Sequence, residues 1–156
     1  MAGLDTHTIE GARKMATTNP YLSFDGKAEE AFNFYKSVFG GEFSGFMRWK
    51  DNPQCSEFSE ADKNMIMHVA LPMGEGNFLL GSDSPESMGQ KLTVGNNFQI
   101  ALGPDSKEDT DRIFKALSEG GKVVMPPADM FWGAYFGMLE DKFGVHWMLN
   151  YEYPKK

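Results

Sequence analysis

Two histidines stand where an imidazole could move a proton. His68 lies inside the apolar run "MIMHVAL", and His146 opens the run "HWML" near the C-terminus. Imidazole titrates near neutral pH, so either could serve as an acid or base, or could be a half-buried side chain bonded to the backbone. Asp83, after Ser82 in "GSDSPE", is a possible second carboxylate for proton transfer; as a loop-entry residue it would instead accept backbone N–H bonds. The one cysteine, Cys55, sits in the polar stretch "DNPQCSEFSE" and reads as a surface thiol with no disulfide partner in the chain. There is no Ser–His–Asp order, no glycine-rich phosphate loop and no Cys–His pairing.

A second concentration of chemistry lies in "DMFWGAYFGMLEDKFGVHWML", Asp129 to Leu149, which holds two of the three tryptophans and glycines at 133, 137 and 144. Aromatics beside glycines suit either a tightly packed hairpin or the wall of a small-molecule pocket. Eleven methionines add flexible thioethers, suited to irregular core gaps and to adaptable apolar pockets.

The elements that position these residues occur twice. "PYLSF" reads as a strand, and Ala28, Ala31, Phe32, Tyr35, Val38 and Phe39 form the apolar stripe of a helix ended by Gly40-Gly41. "EFSGFMRW" is a strand followed by a loop through Asp62. Asn64–Gly74 and Asn77–Asp83 make a hairpin, and "SPESMGQ" a loop. The pattern then restarts: "NFQIALGPDS" is a strand and turn, and Ile113, Phe114 and Leu117 mark a second helix. "KVVMPP" is a strand broken by Pro126-Pro127, and "WGAYFGML" and "VHWML" form a hairpin turned by "EDKFG". Adding 80 places Leu22 on Leu102, Asp25 on Asp105 and Phe34 on Phe114; adding 68 places Leu71 on Leu139 and Gly76 on Gly144. The chain is thus two βαβββ modules, residues 19–90 and 91–156, forming one α+β structural domain. Residues 1–18 read as a leader or disordered arm, with Met15 the natural start.

Composition narrows the classes. Lys and Arg total 15 against 22 Asp and Glu, giving a net charge of −7, which disfavours nucleic acid as a partner. No run approaches the roughly 18 apolar residues of a membrane span, and the N-terminus lacks a signal-like apolar core. A cytoplasmic protein with no membrane partner is expected.

Paired modules carrying "YLSFDGKAEEAFNFYKSVFGGEF", "ALSEGGKVVMPP" and "FWGAYFGMLEDKFGVHWML" closely resemble the PhnB-like branch of the vicinal oxygen chelate (glyoxalase/bleomycin resistance/extradiol dioxygenase) superfamily, from Asn19 to Tyr151. The resemblance implies a curved, cleft-bearing sheet in each module and a homodimer in which cups can be completed across the interface. It also implies four metal-ligand positions on the first and last strands. Here these hold Asn19, Gln99, Leu80 and Met148, one neutral set with no imidazole or carboxylate, so no metal is expected. Strand alternation turns Tyr21, Ser23, Phe78, Leu80, Ser82, Gln99, Ala101, His146, Met148 and Asn150 toward the cleft, with Trp147 and Leu149 behind. His68 and Phe136 occupy equivalent places. The expected function is to bind a small apolar or planar molecule in an aromatic-lined cleft with no cofactor, using Tyr21, Phe78, Ser82, Gln99, Trp132, Phe136, His146 and Met148. The alternative is a lyase, transferase or dioxygenase with His68 as acid or base, or with a non-standard divalent metal site.

Overall fold

A computed structural model describes residues 16–89 and 91–155. The expected leader, with its start at Met15, lies largely outside them. The first module runs β1 (Tyr21–Phe24), α1 (Ala28–Phe39), β2 (Gly45–Arg48), a short helix α2 (Glu60–Asn64), β3 (Ile66–Gly74) and β4 (Asn77–Asp83). The second runs β5 (Ile100–Leu102), α3 (Lys107–Ser118), β6 (Lys122–Met130), β7 (Ala134–Glu140) and β8 (His146–Glu152). Each module makes one four-stranded sheet, β1-β4-β3-β2 and β5-β8-β7-β6, with a parallel pair at β1–β4 or β5–β8.

The two arithmetic offsets are physical registers. Tyr21 pairs with Leu80, and their counterparts Ala101 and Met148 pair in the second sheet. Ala70 pairs with Leu80 as Met138 does with Met148. The duplication therefore holds strand by strand.

Both helices form because one stripe is apolar and both ends are capped. On α1, Ala28, Ala31, Phe32, Tyr35 and Val38 are buried, and Glu29 and Glu30 sit in the first turn, where the helix dipole favours acids. Its N-terminus is held from outside: the Ala28 N–H donates to Asp83 Oδ1 at 2.9 Å. The other oxygen, Oδ2, accepts the Ile66 N–H at 2.9 Å, so Asp83 ties α1, β3 and β4 together. On α3, Ser106 is the N-cap and accepts the Asp109 N–H at 3.0 Å. Phe114 and Leu117 face inward there.

The helix-covered faces of both sheets share one core, in which Phe32, Tyr35 and Leu71 pack with Leu139, Trp147 and Leu149. At its centre Asp141 accepts from Tyr35 Oη (2.6 Å), Trp147 Nε1 (2.8 Å), the Phe143 N–H (2.8 Å) and the Val145 N–H (3.1 Å). A helix of module one and a hairpin of module two are joined at a single buried carboxylate.

Four expectations change. β6 does not break at Pro126-Pro127 but continues to Met130, because it is a sheet edge where bulges absorb prolines that cannot donate to a ladder. The strand expected over Glu42–Trp49 contracts to Gly45–Arg48. The loop that follows contains two short 3-10 turns before α2. Cys55 is buried, not a surface thiol, since one of those turns folds it inward.

Candidate functional site

The face of each sheet opposite the common core is open. On sheet one the pairings Gly45–Ala70–Leu80–Tyr21 define a row across that face, and alternation places His68, Ser82, Phe78 and Ser23 on the same side. Carboxylates and cations of these strands turn the other way: Asp83 caps α1, and Arg48 donates to Glu29 on α1 at 2.7 Å. An open face without formal charge is left.

Within it Tyr21 and His68 form a pair, their ring centroids 6.1 Å apart and tilted by 30°. The imidazole edge lies beside Gly45: a Cβ at that position would stand 3.7 Å from His68 Cδ2 and 3.9 Å from Nε2. Tyr21 keeps 49% of its surface exposed, which is high for a strand aromatic and leaves its ring free to receive another. Ser82 sits beside Ser23 in the parallel pair.

On sheet two, Phe136 pairs with Asn150, Met138 with Met148 and Glu140 with His146, all on the open face. Trp132, in the β6–β7 turn, lies 5.7 Å from Phe136 at a steep angle and is 53% exposed. Tyr135 points the other way, its hydroxyl donating to Asp111 on α3 at 2.6 Å. That bond pushes the Tyr135 phenol up to about 12. Of the two aromatics at the turn, it is thus Phe136 that joins Trp132. Trp147 and Leu149 are fully buried behind the sheet.

The site residues expected from the sequence therefore fall into groups. Tyr21, His68 and Ser82 share sheet one; Trp132, Phe136, His146 and Met148 share sheet two. Phe78 and Gln99 meet in a separate depression of about 830 Å³ where the β3–β4 hairpin approaches β5. A second depression of about 620 Å³ lies between the end of β1 and the β7–β8 turn, lined by Phe24, Asp25, Val94, Lys142 and Phe143. Neither depression is lined by His68, Tyr21, Trp132, Phe136, His146 or Met148. Asp83 is used structurally, as the cap of α1, and is withdrawn from proton transfer by its burial.

The metal positions implied by the resemblance can be tested on their chemistry. Asn19 Oδ1 is engaged, accepting the Phe78 N–H at 2.9 Å. Leu80 and Met148 face Tyr21 and Ala101 across their sheets. Among the described residues no three His, Cys, Asp or Glu converge. A hard divalent cation wants charged oxygen or imidazole donors, and this set does not fit one.

Sequence reasoning missed two arrangements. The Tyr35–Asp141–Trp147 junction joins residues far apart in the chain, and only the turn position of Asp141 hinted at it. Met125 also joins the open face, opposite Met138, through β-bulges on β6 that the residue pattern hides.

The profile of the Glyoxalase/Bleomycin resistance protein/Dioxygenase superfamily matches residues 17–149. A Pseudomonas aeruginosa protein of known structure, PA1353, is 36% identical, with a TM-score of 0.77 over 88% of this chain and 98% of its own. A PhnB protein from Bacillus cereus is 27% identical, with a TM-score of 0.70 over 87% of this chain and 99% of its own. Protein YjdN of Escherichia coli is 26% identical over 140 residues, 85% of this chain and 92% of that protein.

Proposed function

The chain belongs to the Glyoxalase/Bleomycin resistance protein/Dioxygenase superfamily, and from that membership we propose that it binds a small apolar or planar molecule without help from a hard divalent cation. The observation that carries this reading is the uncharged open face of sheet one, where Tyr21 and His68 lie side by side and half of the Tyr21 surface is unburied. A flat ligand laid there gains aromatic contact, and Ser82 and His68 supply the few polar groups that orient it. Trp132 and Phe136 give sheet two a matching aromatic edge. We place the working unit as a homodimer, with a second copy closing over these faces, in the cytoplasm.

The test is fluorescence titration with two probes, bleomycin and 8-anilinonaphthalene-1-sulfonate, before and after exhaustive EDTA treatment. Saturable one-to-one binding of at least one probe, unchanged by EDTA and weakened at least tenfold by Tyr21→Ala, is expected. Binding abolished by EDTA, or equal binding by the variant, would sink the reading.

A second reading rests on the same pair. A half-buried imidazole beside a phenol on an apolar floor is placed to act as acid or base on a bound ligand. It predicts turnover that falls at least a hundredfold in His68→Gln while probe affinity changes less than threefold.

A further inference from the structure

The row that crosses the middle of each open face is built differently in the two modules. In sheet one it runs Gly45, Ala70, Leu80. The equivalent row in sheet two runs Met125, Met138, Met148. Since the rows are equivalent in the duplication, sheet one shows what the fold itself needs there: small or aliphatic side chains. The helix-covered neighbours on the same strands, Leu139 and Leu149, are leucines. Three of the four strand methionines of sheet two therefore stand in one row on its open face.

We propose that Met125, Met138 and Met148 form a binding site for a soft monovalent cation, of which Cu(I) is the biological representative, with His146 as a fourth donor. Directly opposed residues of neighbouring strands have Cβ atoms about 5 Å apart, so Met138 is flanked on both sides within side-chain reach. Methionine has three rotatable bonds, which let the two outer thioethers lean over the central one. Neutral thioethers hold hard divalent ions poorly and soft ions well, so the site has the opposite preference to the carboxylate and imidazole chemistry that the four first- and last-strand positions fail to supply. His146 precedes Met148 by two residues and shares its face, and its cross-strand neighbour Glu140 brings a negative charge to the next row, opposite Lys122. The row is accessible, with Met125 at 39% exposure and Met138 and Met148 half-buried. This site does not depend on the apolar-ligand reading, which would be served equally by leucine in the same row.

The deciding experiment titrates the purified full chain with Cu(I) under anaerobic conditions, in competition with bicinchoninate as a coloured chelator. One Cu(I) per chain is expected, with a sulfur-dominated shell in X-ray absorption at the copper edge. Met138→Leu and Met148→Leu, which nearly conserve volume and so keep the fold, should each weaken uptake at least tenfold with unchanged thermal unfolding. Met47→Leu, on the open face of sheet one, and Cys55→Ser should leave uptake within twofold. Absence of saturable uptake, uptake that survives Met138→Leu with Met148→Leu combined, or uptake lost in Cys55→Ser would each overturn the site.

Discussion

Asp141 is the residue on which most depends for its size. Its carboxylate is 3% exposed and takes four hydrogen bonds, two from side chains on other elements and two from its own turn. Bonds to a charged acceptor contribute more than neutral ones, and stranding their donors in a dry core adds a desolvation cost. Asp141→Asn keeps the shape but aims an amide N–H₂ at groups that are already donors. It is expected to lower unfolding free energy by about 3 kcal/mol, against about 1–2 kcal/mol for Tyr35→Phe, measured by urea denaturation. The Tyr35 phenol is held far above its ordinary value of 10.0, first by burial and then by the Asp141 charge and hydrogen bond. Above pH 10 the unfolded chain gives up this proton and the folded one retains it, so the stabilisation present below that pH is lost as pH rises. Stability should fall more steeply above pH 10 in the native chain than in Tyr35→Phe, by up to about 1.4 kcal/mol per pH unit. Equal slopes would show that Tyr35 titrates normally. The sequence marked Asp141 as a turn end and Trp147 as core, yet the partner Tyr35 sits 106 positions from the carboxylate. Nothing in local pattern couples such distant residues.

At the scale of elements, each sheet makes room for its helix with one glycine in an opposed pair. Val69 faces Gly81 in sheet one, and Gly137 faces Leu149 in sheet two, so the small partner changes strand between modules. The space is taken by helix phenylalanines. A Cβ at Gly81 would stand 2.6 Å from Phe32 Cε2, and one at Gly137 2.9 Å from Phe114 Cε2. Ring and backbone must both give way, which costs about 1–3 kcal/mol for overpacking of this kind. Gly81→Ala and Gly137→Ala are each expected to lower the unfolding free energy by that amount, read as a lower urea midpoint with an unchanged denaturant slope. A neutral effect would mean that the helices ride higher on the sheets than this geometry has them. Element order, both helices and both offsets were legible, because helix stripes, turn glycines and the Leu71/Leu139 correspondence are local signals that occur twice. The course of β6 was not. Pro126-Pro127 reads as a break, and only its place at a sheet edge, a property of the whole sheet, lets the strand bulge and continue.

For the whole molecule, the question is what covers the open faces. A single core serves both modules from the helix side and leaves Tyr21, Met47, Met125 and Trp132 exposed on or beside the other side. Phe131, at the tip of the β6–β7 turn, is 98% exposed and packs only edge-on to Trp132. Hydrophobic groups so grouped on one side are a feature of association surfaces more than of a finished monomer surface. Among the described residues the outer strands, β1 and β2 in sheet one and β5 and β6 in sheet two, are also unpaired on one edge, so a second copy could dock by face or by edge. The two routes separate experimentally. In the face-docked homodimer Phe131 and Trp132 are anchors, and removing buried aromatic anchors typically costs 2 kcal/mol or more, roughly thirtyfold in affinity. Sedimentation equilibrium should therefore find a dimer at micromolar concentration for the native chain and a substantially monomeric double variant, Phe131→Ser with Trp132→Ser, under the same conditions. An edge-docked dimer would survive that change and fail instead with Ser23→Pro, since Ser23 is exposed and its backbone N–H points away from β4, whose bonds go to the alternate residues of β1. A native chain that stays monomeric at about a hundred times that concentration would remove the partner altogether, and the aromatic face would then have to be completed by its ligand alone.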